Sequence, residues 1–388
     1  MFLFILPFPH TVALRLLCLF AAIVIAIAQW RRLKPPPFPL KAPILIWAAV
    51  VLASLGFAVD LPYSIGEVKN ELGYTLIAFA SLFALTRDES RLRLLCLPVA
   101  AGFVVISLSA LAGYAWYGEW RFGMFYGGVG TISNYFITAA PVIALAAVLW
   151  KPSHAGTLLA AAAGLLLCAG LVSGQRSLWP ALGVQIAVGC LWLWRAGHLS
   201  WSVRRAGAIA LLVLGLVAAG LWASEQLRTP VAPELQASIF DDARPRHWLA
   251  LGRHLLEHPL QGGGFGQRAL AKAYPELVPP DNPTLWHAHN LVLNYGLYAG
   301  VPGIVAVLIL FAAMFARFWR LALAGDRTAR LAGLAGAVMV AGVFARNTFN
   351  DFFIRDGALL FWGLAGMLLG FALRRIPADS SRRPTGST

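Results

Sequence analysis

The sequence predicts an all-α polytopic integral membrane protein. Three observations carry that reading. Of the 388 residues, 59% are hydrophobic and only 12% are charged, about half the charged fraction of an ordinary soluble domain. Apolar runs near the ~20 residues that a helix needs to cross a bilayer recur along the whole chain. The basic residues, which set a formal net charge of +14, fall in short clusters between those runs, as topology signals do, and not in one nucleic-acid-binding patch. Membrane lipids are therefore expected as surroundings, and nucleic acid is not expected as a partner.

Eleven segments are apolar and long enough, centred on residues 12–28, 44–59, 72–85, 92–113, 133–150, 158–172, 178–194, 206–223, 291–315, 331–344 and 357–373. Residues 1–8 are also apolar but are broken by Pro7 and followed by Pro9, which offers part of a twelfth span. The first long run leads into Arg31, Arg32 and Lys34 and not into a small-residue cleavage site, so no removable signal peptide is expected. Cys18, Cys96, Cys168 and Cys190 each lie in an apolar run with no CxxC spacing, the pattern of inert thiols and not of a disulfide or metal site.

Orientation follows from the loops. The clusters Arg31–Lys41, Arg87–Arg93, Lys151, Arg195–Arg205, Arg317–Arg330 and the tail from Arg374 alternate with less basic connections and are assigned to the cytoplasm. The outer face collects residues 60–71, 114–132, 173–176, 224–287 and 346–356. Eight arginines there (Arg121, Arg176, Arg244, Arg246, Arg253, Arg268, Arg346 and Arg355) stand against the positive-inside bias, and each calls for a local reason. The chain divides into N-terminal transmembrane helices at 1–223, an outer helical insert at 224–287, C-terminal transmembrane helices at 288–373 and a Ser/Pro/Arg-rich, disordered cytoplasmic tail at 374–388.

Within the insert, Asp242 is placed to cap a helix whose early turn holds Pro245. Trp248, Leu249, Leu251, Leu255 and Leu256 give that helix an apolar stripe, and it ends at Pro259. Residues 261–266, QGGGFG, read as a flexible turn. A second short helix is expected over residues 267–274, before Pro275, Pro279, Pro280 and Pro283 return the chain to the membrane.

The organising stretch is residues 286–303, WHAHNLVLNYGLYAGVPG, where a polar loop becomes an apolar helix. His289 stands at that junction, and a neutral imidazole there can take a proton from a hydroxyl near neutral pH. The bland alternative is a histidine that only caps the helix or bonds a carbonyl. His287, two residues earlier, would point elsewhere on a helix and ranks lower. Asn290 and Asn294 are one turn apart on one face. With His287 they are candidates for contacts to sugar hydroxyls, or else they bond a neighbouring helix. Arg176 in SGQRSLW, and Arg244 and Arg246 in DDARPRHW, are candidates for pyrophosphate, because guanidinium forks take phosphate oxygens two at a time. Carboxylate pairing with Asp241, Asp242 or Glu257 is the plainer reading. No DxD, HExxH, GxSxG or phosphate-loop Lys-Ser/Thr is present, so neither a metal nor a nucleotide cofactor is expected. Glu67 and Asp351 read as isolated structural carboxylates.

His289-Asn290, nine intervening residues and Gly300-x-x-Gly303 resemble the histidine signature of bacterial O-antigen ligases. Arg244-x-x-x-Trp248 followed by His258-Pro259-Leu260-x-Gly262-x-Gly264 resembles the block that precedes it in the wider O-antigen ligase and polymerase superfamily. Ser173-Gly174-Gln175-Arg176 resembles that superfamily's earlier arginine motif. The resemblance implies a GT-C-like glycosyltransferase of about twelve spans in the bacterial inner membrane, both termini cytoplasmic and the active site facing the periplasm. It implies undecaprenyl-pyrophosphate-linked O-antigen as donor and lipid A–core oligosaccharide as acceptor. It also implies His289 as base, with Arg176 and Arg244 or Arg246 on the donor pyrophosphate. An O-antigen polymerase or a protein O-oligosaccharyltransferase shares these motifs, and a transporter or flippase is the alternative from another class. A transporter should place ionisable groups at the bilayer midplane in broken helices.

Overall fold

The structure, a computed structural model, describes residues 1–118, 128–150, 154–199, 202–227 and 242–375. Their regular structure is all helical, with no strand among the described residues. The chain opens with α1 (Phe2–Ile5), α2 (Val12–Ala28), α3 (Trp30–Leu33), α4 (Lys41–Ala53), α5 (Leu61–Val68), α6 (Thr75–Leu85), α7 (Glu89–Tyr117), α8 (Val129–Leu149), α9 (His154–Val172), α10 (Leu178–Arg195) and α11 (Val203–Leu227). The insert holds α12 (Arg244–Glu257) and α13 (Ala269–Ala273), and α14 (Leu291–Leu323), α15 (Arg327–Phe349) and α16 (Arg355–Leu373) complete the described chain.

Among the described residues, seven helices, α7, α8, α9, α11, α14, α15 and α16, are long and apolar enough to cross a membrane, and α2 and Lys41–Phe57 are apolar but shorter. The expectation of about twelve spans is met only to that extent. α5 and α6 join through a π-helical turn at Lys69–Tyr74 into one rod. The N-terminal apolar residues form no span of their own, since α1 has four residues and packs against α7. α11 runs on to Leu227, a few residues past the predicted start of the insert. Arg121, Lys151, Asp241 and the predicted tail beyond Arg375 lie outside the described residues.

Residue size decides the layering. α16 is buried along most of its length and packs against α6. A Cβ on Gly366 would stand 2.3 Å from the Phe79 carbonyl oxygen, and one on Gly370 would stand 2.1 Å from that of Phe83. Small residues one turn apart let the two backbones close up, the usual device where lipid supplies no hydrophobic drive between helices. α11 lies at the other extreme, with Leu211, Leu212 and Trp222 exposed, as a helix on the lipid-facing rim requires. Two cations inside this layering are matched locally. Arg15 in α2 is buried and pairs with Asp356 at the start of α16. Arg374 donates to the carbonyls of Leu33, Phe83, Ala84, Thr86 and Gly370, collecting acceptors that helix C-termini leave without partners.

α14 is broken. Ala299 and Gly300 leave helical geometry, with Gly300 at φ +67°. Pro302 has no N–H and its ring crowds the carbonyl four residues earlier, that of Tyr298. The freed groups bond to the insert. Gly263 N–H donates to Leu297 O at 2.8 Å, Gly264 N–H to Tyr298 O at 3.2 Å, and Val301 N–H to Pro259 O at 2.7 Å. A Cβ on Gly262 would lie 2.4 Å from Tyr298 O. The QGGGFG segment is thus no flexible turn. Residues 262–267 are buried, and glycine is needed because backbone meets backbone at the break. A broken helix was the mark reserved for a transporter, but here its free groups are bonded by the insert's own backbone.

α12 begins one residue later than a cap at Asp242 would set it, with Ala243 at the N-cap position. Asp242 Oδ1 accepts Arg244 N–H at 3.0 Å, and Pro245 sits in the first turn. Its buried stripe is narrower than predicted: Leu251 and Leu255 face the core, while Leu249 and Leu256 are exposed. The five-residue α13 falls inside the second predicted helix.

Candidate functional site

The site is built where the loop before α14 meets the turn between α15 and α16. Asn290 caps α14, its Oδ1 accepting from Val292 N–H at 2.9 Å and Leu293 N–H at 3.2 Å. The residue before it, His289, has φ +50°, a left-handed backbone that a non-glycine residue adopts only at a cost of about 1 kcal/mol or more. That turn aims the imidazole between two oxygens. His289 Nδ1 lies 3.0 Å from Asn350 Oδ1, and Nε2 lies 3.0 Å from the Thr284 carbonyl oxygen. Burial lowers the His289 pKa and Arg244 adds to that, while Asn350 and the Thr284 carbonyl oppose it by bonding the charged form.

His287 does not point away, because the loop is not helical there. Its ring stacks on that of His289 with centroids 3.8 Å apart, and its Nδ1 accepts His289 N–H at 3.1 Å. It is buried, and its pKa falls to about 2, first through burial and then through His289, Arg244 and His247. His287 is therefore a neutral acceptor that shapes the loop. Asn294 is fully buried. Its Oδ1 accepts Ala288 N–H at 3.0 Å and its Nδ2 donates to Asp351 Oδ2 at 2.6 Å. Both ends of that amide are used inside the protein. Asn290, also a sugar candidate, borders an open groove with Pro245, Trp248, Leu249, Val292 and Leu293.

Arg176 and Arg244 line one cavity of about 320 Å³, together with Gln175, Asp242, Trp248 and Phe349. Arg176 is held by Glu225. Arg244 sits 3.8 Å from Asp242 and donates to Phe349 O at 3.3 Å, and burial lowers its pKa. Arg246 is exposed and does not line this cavity. Of the two insert arginines, only Arg244 shares this cavity with Arg176. His289 does not line the cavity either; it stands behind two of its walls. Trp248 Nε1–H donates to the Ala288 carbonyl at 2.7 Å, and Phe349 directly precedes Asn350.

Sequence reading singled out Arg346 and Asp351 but gave them no part in holding this turn. Arg346 is fully buried and donates to Asn350 O at 2.6 Å, Gly130 O at 3.1 Å and Ser133 Oγ at 3.0 Å, with Phe352 stacked 5.0 Å away. This is the local reason for an arginine against the topology bias, and Arg355 has another in its 2.7 Å ion pair with buried Glu67. Asp351 is not isolated. It accepts from Asn294 and from Phe353 N–H, and burial raises its pKa. Among the described residues, no group of three His, Cys, Asp or Glu side chains has metal-holding geometry.

Residues 139–308 match the model of a family described as O-antigen ligase. No curated protein matches the chain in sequence. The matched segment runs from α8 into α14 and takes in Arg176, Arg244, the glycine segment and His289. Over that segment, less than half of the chain, the protein is similar to the O-antigen ligase family.

Proposed function

We propose that the chain is an O-antigen ligase of the bacterial inner membrane, transferring polysaccharide from undecaprenyl pyrophosphate to lipid A–core oligosaccharide at the periplasmic face. The observation that carries this reading is the pair of arginines, Arg176 and Arg244, in one cavity whose wall residue Trp248 bonds the carbonyl of Ala288, just before His289, and whose wall residue Phe349 precedes Asn350, which meets the His289 ring. The fold we propose is a GT-C-like bundle. In it α2, α4, the α5–α6 rod and α10 add to the seven long spans to give eleven.

The pyrophosphate of the donor sits between Arg176 and Arg244, which neutralise charge as the leaving group departs. His289 removes the proton from an acceptor sugar hydroxyl. The hydroxyl oxygen forms a bond to the anomeric carbon as the bond from that carbon to the phosphate oxygen breaks, so configuration inverts. Undecaprenyl pyrophosphate leaves, and the imidazolium returns its proton to water. The low pKa of His289 keeps the base neutral at pH 7. Arg268, Lys272 and Trp286 border a separate exposed groove, a surface suited to a charged saccharide.

Purified protein, lipid-linked donor and lipid A–core in detergent provide the test. Formation of the new glycosidic bond, abolished in His289→Ala and in Arg176→Ala, supports the reading. Full ligation by His289→Ala removes the base assignment. A second repeat unit added to a lipid-linked glycan in place of core would identify a polymerase, and glycan movement across vesicles without transfer would identify a transporter.

A further inference from the structure

We infer that Asn350 is the positioning residue of the base: its Oδ1 takes the Nδ1 proton of His289, so that Nε2 faces the acceptor hydroxyl with its lone pair. This rests on the proposed role of His289 and adds a residue that lies outside the family-matched segment, which ends at residue 308.

Three features support it. The two ring nitrogens are unequal in access. Asn350 is largely buried, and its backbone carbonyl is fixed by Arg346 at 2.6 Å, so the Nδ1 edge is closed. The Nε2 contact is exposed and made by a carbonyl on the short 3-10 turn Pro283–Leu285, so that edge can open. Both partners are oxygens, and a neutral imidazole has only one N–H to give. One contact must therefore yield when the ring is neutral, and the exposed Thr284 carbonyl is the one without an anchor. An acceptor hydroxyl that replaces it donates to Nε2. The proton that moves there is then held on an imidazolium bonded at both ends, with Asn350 on Nδ1. This is the work a carboxylate or amide does behind the histidine of a hydrolytic triad: it selects the tautomer and stabilises the cation that forms. The left-handed backbone of His289 is the strain accepted to reach that pose.

The surrounding charges set how strongly the pair responds to pH. Arg244, Asp242 and His247 face the ring from the start of α12, and His287 faces it from its own loop. None of them bonds Nδ1, so Asn350 is the group whose exchange for a carboxylate acts directly on that proton.

The experiment compares wild type, Asn350→Asp, Asn350→Ala and His289→Ala, as full chains in detergent, with undecaprenyl-pyrophosphate-linked O-antigen and lipid A–core. Rates are taken as a function of pH. Asn350→Asp is expected to keep activity and to shift the acid limb of kcat/KM to higher pH, because a carboxylate holds the imidazolium more firmly. Asn350→Ala is expected to lose about a hundredfold or more in kcat, with donor KM changed less than about twofold, the scale of lost tautomer control. In parallel, ¹⁵N shifts of labelled histidine should report His289 as protonated on Nδ1 and bare on Nε2, a readout that stands even if Asn350→Ala folds poorly. An unmoved acid limb in Asn350→Asp, or the opposite tautomer, overturns the inference while an inactive His289→Ala leaves the base in place. An active His289→Ala removes the base itself.

Discussion

Arg176 and Glu225 form a two-point ion pair, Nε to Oε2 at 2.8 Å and Nη2 to Oε1 at 2.7 Å. α11 thereby sets a carboxylate on the guanidinium fork that the proposed mechanism offers to donor phosphate. The two anions compete for one geometry.

Neutralising that carboxylate should therefore favour the donor. Glu225→Gln is expected to lower the KM for lipid-linked donor several-fold at unchanged kcat. Arg176→Lys, which keeps the charge but loses the fork, should cut kcat/KM by about tenfold or more, the size of one charge-assisted hydrogen bond. Steady-state transfer kinetics at fixed acceptor check both. A raised donor KM in Glu225→Gln would show that the carboxylate positions Arg176 and does not compete for it.

The buried histidine pair predicts acid sensitivity, and its sign follows from linkage. Burial holds the His287 pKa at about 2, far below the ordinary value of about 6.5. Its contribution to stability is complete above about pH 6.5 and is lost as pH falls toward 2, by up to about 1.4 kcal/mol per pH unit. Thermal unfolding of the detergent-solubilised chain should shift downward between pH 7 and pH 5, and His287→Gln should flatten that dependence. An identical slope in the variant would assign the acid sensitivity elsewhere.

Asn294 and Asp351 touch at 2.6 Å with both side chains buried. Asn294→Asp would bring two carboxylates together there, a destabilisation of about 3–5 kcal/mol when a buried charge loses its partner. Loss of folded yield and a lowered unfolding midpoint are the expected signs, and Asp351→Asn in the same chain should restore part of the loss. Normal stability with a selective rise in acceptor KM would return Asn294 to the list of sugar contacts.

The break in α14 is equally testable. Gly300→Ala places a side chain at φ +67°, 2.5 Å from the Pro259 carbonyl oxygen. It should cost about 1–3 kcal/mol by backbone strain and displacement together, read as a lower unfolding midpoint. Gly56→Ala, where a Cβ meets nothing within 4 Å, is the control expected to leave the midpoint unchanged.

Helix positions were legible in the sequence because apolar run length and flanking charge report the bilayer directly. The histidine loop, both arginine motifs and the start of α12 to within a residue were legible because each is a local pattern. Asn350 was not, since it meets His289 from 61 residues away and an asparagine after a membrane helix carries no signal of its own. A hint existed in Arg346. A cation inside an apolar segment at the outer end requires buried acceptors, and the Asn347, Asn350 and Asp351 cluster beside it supplies the setting. His287 was misread because periodicity assumed a helix where the left-handed turn at His289 folds one ring onto the other. The glycine segment was misread for a related reason: composition alone cannot separate glycine used for freedom from glycine used for closeness.

Because Leu297, Tyr298 and Val301 find their missing partners in residues 259–264, the insert and α14 complete each other. During synthesis the insert emerges first, before the broken helix that secures it. The insert can mature only after α14 is integrated. A chain stalled on the ribosome before residue 297 would leave the insert open to protease, and extension past residue 303 would close it.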